Sequence, residues 1–160
     1  MLLKALNNNR GFTLPELMVV IAIIAIMAGV AMAGFGPLIK REKVRAAAFQ
    51  FAGDVKEARM LAIERHQIYS VDIDGDDYIV YRGDPNTGDI IRQVTVSDEC
   101  PGVSPYTPTS FPLIFNPTGI DEENSSLRSV RFVNDDGCYC DVKIMAAGGI
   151  RIEEDPNCFF

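Results

Sequence analysis

Residues 17–36, LMVVIAIIAIMAGVAMAGFG, contain no charged side chain. No other feature restricts the chain as strongly. A helix rises about 1.5 Å per residue, so this run reaches roughly 30 Å, the thickness of a bilayer core. A core helix of a soluble domain is seldom this apolar for this long. The run is therefore read as a membrane-spanning helix. A secretory signal peptide is the competing reading, and Ala31-Met32-Ala33 loosely fits a small-x-small cleavage site. The run is long for the apolar part of a signal peptide, and the segment before it is of another kind.

That segment is Arg10-Gly11-Phe12-Thr13-Leu14-Pro15-Glu16-Leu17. A carboxylate at the head of an apolar span is unfavourable unless it has a partner. In the first turn Glu16 also interacts favourably with the helix dipole. Pro15 falls where a missing N–H costs little. Gly29, Gly34, Gly36 and Pro37 cluster toward the end of the run, so a kink or melted turn is expected there; a plain bend at the membrane surface explains them equally well. After Pro37 a helical pattern resumes. Val44, Ala48, Phe51, Val55, Ala58 and Ala62 recur at steps of four and three, flanked by Arg45, Asp54, Lys56, Glu57 and Arg59. The helix is expected to run to about His66 and to lay this stripe on a sheet.

The remainder reads as strands. Residues 68–73 and 78–81 flank Asp74-Gly75-Asp76-Asp77, a strong hairpin signal. Further strands are expected at 90–96, 113–116, 127–133, 138–145 and 149–153. Residues 97–112 hold Pro101, Pro105, Pro108 and Pro112 and read as a loop. Asp and Glu crowd the region after Val71, and the whole chain carries a formal charge of −7. That balance gains nothing from phosphate contacts, so nucleic acid is not an expected partner.

The leader segment, with Gly11, Phe12 and Glu16 ahead of an apolar helix, resembles the processing site of type IV pilins and type II secretion pseudopilins. The resemblance implies that prepilin peptidase cuts between Gly11 and Phe12 and methylates the new N-terminus at Phe12. It implies that Glu16 neutralises the Phe12 amine of an adjacent subunit, setting the register of a filament. Later pieces carry the resemblance further: Ala58-Arg59-Met60-Leu61-Ala62-Ile63, Phe115-Asn116-Pro117-Thr118-Gly119 and Gly148-Gly149-Ile150-Arg151-Ile152. Together they resemble the GspH/FimT group of minor pilins and pseudopilins. The fold class that follows is α+β and pilin-like, a long N-terminal helix packed against antiparallel β-sheets. The expected organisation is a cleaved leader (1–11), a transmembrane half-helix (12–36), an amphipathic half (37–66) and a β-rich domain (67–160). The expected role is that of a minor pilin priming assembly of a type IV pilus; the alternative is a secretion pseudopilin. The partners implied are prepilin peptidase, other pilins or pseudopilins and the inner membrane. Gly119 and Gly149 are expected at turns that need positive φ.

Lys4 and Arg10 precede the span, while Lys40, Arg41, Lys43 and Arg45 follow it. A positive-inside count would leave the C-terminal domain in the cytoplasm. The cleavage motif and the cysteines argue for export instead, to a surface pilus or a periplasmic pseudopilus. Cys100, Cys138, Cys140 and Cys158 all follow the span. An even count in a small exported domain suggests disulfides, with three pairings open. If residues 146–149 turn the chain, Cys138 falls nearly opposite Cys158, and Cys140 could reach Cys100. Four reduced, buried thiols are the alternative.

No metal site is expected. One Cys-x-Cys and a distant His66 fit zinc poorly, and Asp72, Asp74, Asp76 and Asp77 fail the calcium-loop pattern and read as a solvated turn. No nucleophile–base arrangement or phosphate-binding Gly loop is present, so no catalytic residue and no cofactor are expected. Some members of the resembled group bind DNA, which needs an exposed basic cluster. Arg82, Arg92, Arg128, Arg131, Lys143 and Arg151 are scattered among acids, and only Arg128, Arg131 and Arg151 could form a patch.

Overall fold

The computed structural model describes residues 12–107, 111–121, 127–145 and 147–156, apart from the side chains of 31–35 and 37. The chain divides into two units, Met1–Leu38 and Ile39–Phe160. One helix, α1 (Leu14–Arg65), contributes to both. It is helical through Gly34, Gly36 and Pro37, so the expected melted turn is absent.

In the second unit α1 packs on two four-stranded antiparallel sheets. The first sheet contains β1 (Tyr69–Asp74), β2 (Asp77–Arg82), β3 (Asp89–Thr95) and β5 (Leu113–Phe115), in the order β3-β2-β1-β5. The second contains β4 (Val103–Tyr106), β6 (Arg128–Asn134), β7 (Tyr139–Ile144) and β8 (Ile150–Glu154), in the order β4-β6-β7-β8. A single-turn helix, α2 (Val96–Glu99), lies between β3 and β4.

The α1 stripe is buried as its spacing predicts. Val44, Ala48, Phe51, Val55, Ala58 and Ala62 are all core, joined by Ala47 and Ala52. Small residues on this stripe let the helix axis approach the sheets closely. Phe51 is the large exception and meets both sheets. Its ring packs edge-on to Tyr78 of β2 at 5.2 Å and tilted against Phe132 of β6 at 5.5 Å. Alternation supplies the other layer: Tyr69 and Val71, Tyr78 and Val80, Val130 and Phe132, and Cys140, Val142 and Ile144 all point inward.

The first hairpin forms as expected, with Asp74 opposite Asp77 and Gly75 at φ +64 in the turn. The solvated-turn reading needs correcting at Asp76. Its backbone carbonyl accepts from Val96 N–H at 3.0 Å and its carboxylate accepts from Ser97 N–H at 3.2 Å. The turn therefore caps α2, whose first N–H groups would otherwise lack acceptors. The Pro-rich segment also departs from the expected loop. It contains α2 and β4, with Pro105 inside the strand. Because β4 is the edge of the second sheet, it accommodates a residue that cannot donate to a ladder.

The C-terminus of α1 closes with His66 at φ +52, while Gln67 N–H reaches back to Ala62 C=O at 3.3 Å. This is the helix stop normally made by glycine. His66 is thus the reversal residue that turns the chain into β1.

Candidate assembly site

The described helix begins where the N–H groups of Glu16 and Leu17 find Thr13 C=O at 3.1 and 3.2 Å. Glu16 lies in the first turn and is exposed. Beyond it the apolar side chains have no covering. Phe12 is 82% exposed, and the large apolar residues from Leu14 to Val30 lie between 48% and 75%. So large an apolar surface marks a place of association. Among the described residues no helix is long and apolar enough to cross a membrane. The expected span includes residues 31–35, whose side chains lie outside the described set, as do Gly11 and the leader.

At the near end of the second unit, the four cations after the apolar run are engaged by the domain itself. Lys40 pairs with Asp136 at 2.7 Å, and Arg41 and Arg45 each pair with Glu154 at 3.2 Å. Lys43 donates to Pro101 C=O at 3.4 Å.

Farther along, Arg59, one of the charged residues flanking the stripe, is half-buried and gathers two loops. Its Nε donates to Gly119 C=O at 2.8 Å, Nη2 to Ala147 C=O at 2.8 Å and Nη1 to Gly148 C=O at 3.3 Å. The two loops follow β5 of the first sheet and β7 of the second. Gly119 has φ +77, and a Cβ there would meet Ile63 at 2.6 Å. Gly148, not Gly149, takes the positive φ (+77), and a Cβ there would lie 2.2 Å from Arg59 Nε. The sequence pieces around Arg59, Gly119 and Gly148 therefore belong to one contact. Asn116 shapes the first loop, its Oδ1 accepting from the N–H groups of Thr118 and Ile120 at 3.0 and 3.1 Å.

Asp54, another residue flanking the stripe, is buried. It accepts from Tyr78 OH at 2.5 Å and pairs with Arg92, which also reaches Glu57 at 3.2 Å. Burial, then the Asp54 carboxylate, pushes the Tyr78 phenol far above its ordinary range.

The Cys100–Cys140 bond is not formed: both are free, buried thiols. They pack on different flanks of α1. Cys100 lies with Ala47 and Gln50, whereas Cys140 lies with Arg41, Val44 and Arg45. Burial pushes the Cys140 thiol up to about 11 and the Cys100 thiol upward as well. Cys138 is not a free thiol, and Cys158 lies outside the described residues.

The expected patch of Arg128, Arg131 and Arg151 does not form, because Arg128 does not share the outer face of the other two. Arg128 is core-facing, paired with Asp121 at 2.8 Å and donating to Pro112 C=O at 2.7 Å. Arg131 is held by both Asp141 oxygens at 2.7 and 2.8 Å, and Arg151 lies 3.3 Å from Glu153. Among the described residues no group of His, Cys, Asp or Glu converges to hold a metal.

Comparison with known proteins agrees with this arrangement. Residues 6–32 match the prokaryotic N-terminal methylation motif. Residues 47–148 match the family described as type II transport protein GspH. No curated protein matches significantly. Among solved structures, the fold is similar to the minor pseudopilin EpsH of the Vibrio cholerae type 2 secretion system, at 14% identity and a TM-score of 0.57, covering 70% of this chain and 97% of that one. It is also similar to the type IV minor pilin FimU of Pseudomonas aeruginosa in two crystal forms. One gives 16% identity, a TM-score of 0.59 and coverage of 76% and 99%; the other gives 17%, 0.55, and 72% and 99%. These relatives are structural subunits, not enzymes, and they share the helix on two antiparallel sheets. With well over half its length matched, this chain belongs to the GspH family and is a pilin-like or pseudopilin-like subunit.

Proposed function

We propose that the chain is a minor subunit of a type IV pilus, primed for assembly by cleavage between Gly11 and Phe12 and N-methylation of Phe12. The observation that carries this reading is the uncovered apolar helix surface from Phe12 to Val30, headed by Glu16. Before assembly this helix anchors the chain in the inner membrane. In the filament it packs among the helices of other subunits. There the Glu16 carboxylate neutralises the Phe12 amine of a neighbour, which offsets the desolvation of both charges. A Cys138–Cys158 disulfide completes the exported domain.

Family membership and the likeness to EpsH favour a second reading, a type II secretion pseudopilin. The carboxylate partners of Arg128, Arg131 and Arg151 leave the DNA-binding reading without support. Mass spectrometry of filaments sheared from cells separates the first two. A minor component whose N-terminal peptide begins at methylated Phe12 establishes the pilus subunit. Pili lacking the chain, with the processed form retained in the envelope, overturn it in favour of the pseudopilin.

A further inference from the structure

The two sheets turn very different faces outward. On the first, alternation places Asp72 and Asp74 of β1, Asp77 and Ile79 and Tyr81 of β2 away from the core. Asp74 lies directly opposite Asp77, a like-charge pairing that weakens the hairpin. None of the three carboxylates has an ion-pair partner among the described residues. Asp72 accepts from its own neighbour Ile73 N–H at 2.8 Å, and Asp77 accepts from Gln93 at 2.7 Å. Ile90 of β3, opposite Tyr81, adds an apolar side chain that is 58% exposed. This face is acidic, uncompensated and part apolar.

The outer face of the second sheet has the opposite balance. Arg131 of β6, Lys143 of β7 and Arg151 of β8 stand against only two carboxylates, Asp141 and Glu153. A net positive face is unusual in a chain of formal charge −7. It is also aromatic. Arg131 stacks over the Tyr139 ring at 4.0 Å, and Tyr106, opposite Arg131 on β4, is 58% exposed. Tyr and Arg on a flat, partly apolar surface are the composition of protein interfaces.

We propose that the acidic outer face of the first sheet docks on the net-positive outer face of the second sheet of another copy of this chain. Both faces turn away from their shared core, so they cannot meet within one chain. The contact is head-to-tail, and it leaves one free face of each kind at the ends of a row. It relieves the Asp74–Asp77 opposition and gives Lys143 and Arg151 carboxylates beyond the single Glu153 they share. It does not depend on whether the subunit enters a pilus or a pseudopilus.

The test uses the full chain in detergent micelles, mixed from equal parts of 14N- and 15N-labelled protein and treated with a zero-length carbodiimide. Mass spectrometry should find peptides of mixed isotope joining Lys143 to Asp72, Asp74 or Asp77. The triple variant Asp72→Asn, Asp74→Asn and Asp77→Asn offers the reagent no carboxylate at these positions, so its effect is read by sedimentation, where self-association should fall at least tenfold. Those substitutions are isosteric and remove a repulsion, and an unchanged melting temperature shows that the fold is intact. A Lys143→Arg variant keeps the charge, removes the reactive amine, and should lose the link while sedimenting as the parent does. Purely intrachain links, self-association that the triple variant leaves unchanged, or association confined to other surfaces would overturn the proposal.

Discussion

Single side chains hold this domain where its elements meet. Arg128 and Asp121 form an ion pair with side chains only 4% and 1% exposed. Removing one partner strands a buried charge. Asp121→Ala or Arg128→Ala should therefore lower stability by about 3–5 kcal/mol in urea unfolding. Gly148 meets two restrictions at once, a positive φ and the Arg59 guanidinium beside it. Gly148→Ala should destabilise by about 1–2 kcal/mol from backbone strain alone. In a double-mutant cycle with Arg59→Ala its effect should be strongly non-additive. His66→Gly runs the other way. Relief of the left-handed conformation should leave stability unchanged or raise it by up to about 1 kcal/mol. The buried thiols give a chemical readout. With Cys140 pushed up to about 11, its thiolate amounts to only about one part in a thousand at pH 8. Raising the pH toward that value increases the thiolate. At pH 8, Cys100 and Cys140 should resist iodoacetamide in the folded chain and label promptly in denaturant.

Among the elements, those with local signals were legible. The stripe from Val44 to Ala62 repeats with the helical period, and Asp-Gly marks the first hairpin. β4 was hidden because Pro105 argues against a strand unless that strand is an edge. Edge position depends on the pairing of β6 with β7, far along the chain. Asp54 and Arg59 flank the apolar stripe, and spacing alone assigns them no partner. Their burial is decided by partners distant in sequence, Tyr78 and Arg92 for one, Gly119 and Gly148 for the other. The glycines were visible, but the guanidinium they accommodate was not. Cys138 and Cys140 share a strand parity, yet which flank of α1 each cysteine meets is a property of the assembled layers. At this scale Tyr78→Phe should cost about 1–2 kcal/mol, because Asp54 stays buried with one donor fewer. Chemical denaturation of the variant against the parent measures it.

At the scale of the whole molecule, the two units divide the work. The core lies entirely within Ile39–Phe160, while the uncovered apolar surface lies before it. Glu16→Ala should therefore leave the melting temperature of the domain unchanged and reduce incorporation into filaments at least tenfold, read by immunoblot of sheared fractions. Incorporation at the parental level would remove Glu16 from the assembly mechanism. The contacts of α1 with the second sheet have a mechanical consequence. Lys40, Arg41 and Arg45 meet Asp136 and Glu154 at one end of the domain, and Arg59 meets Ala147 and Gly148 farther along the same helix. Tension transmitted along α1 would load these bonds together in shear, not peel them apart one after another. A domain tethered in that geometry resists a pull along the helix better than a pull across it.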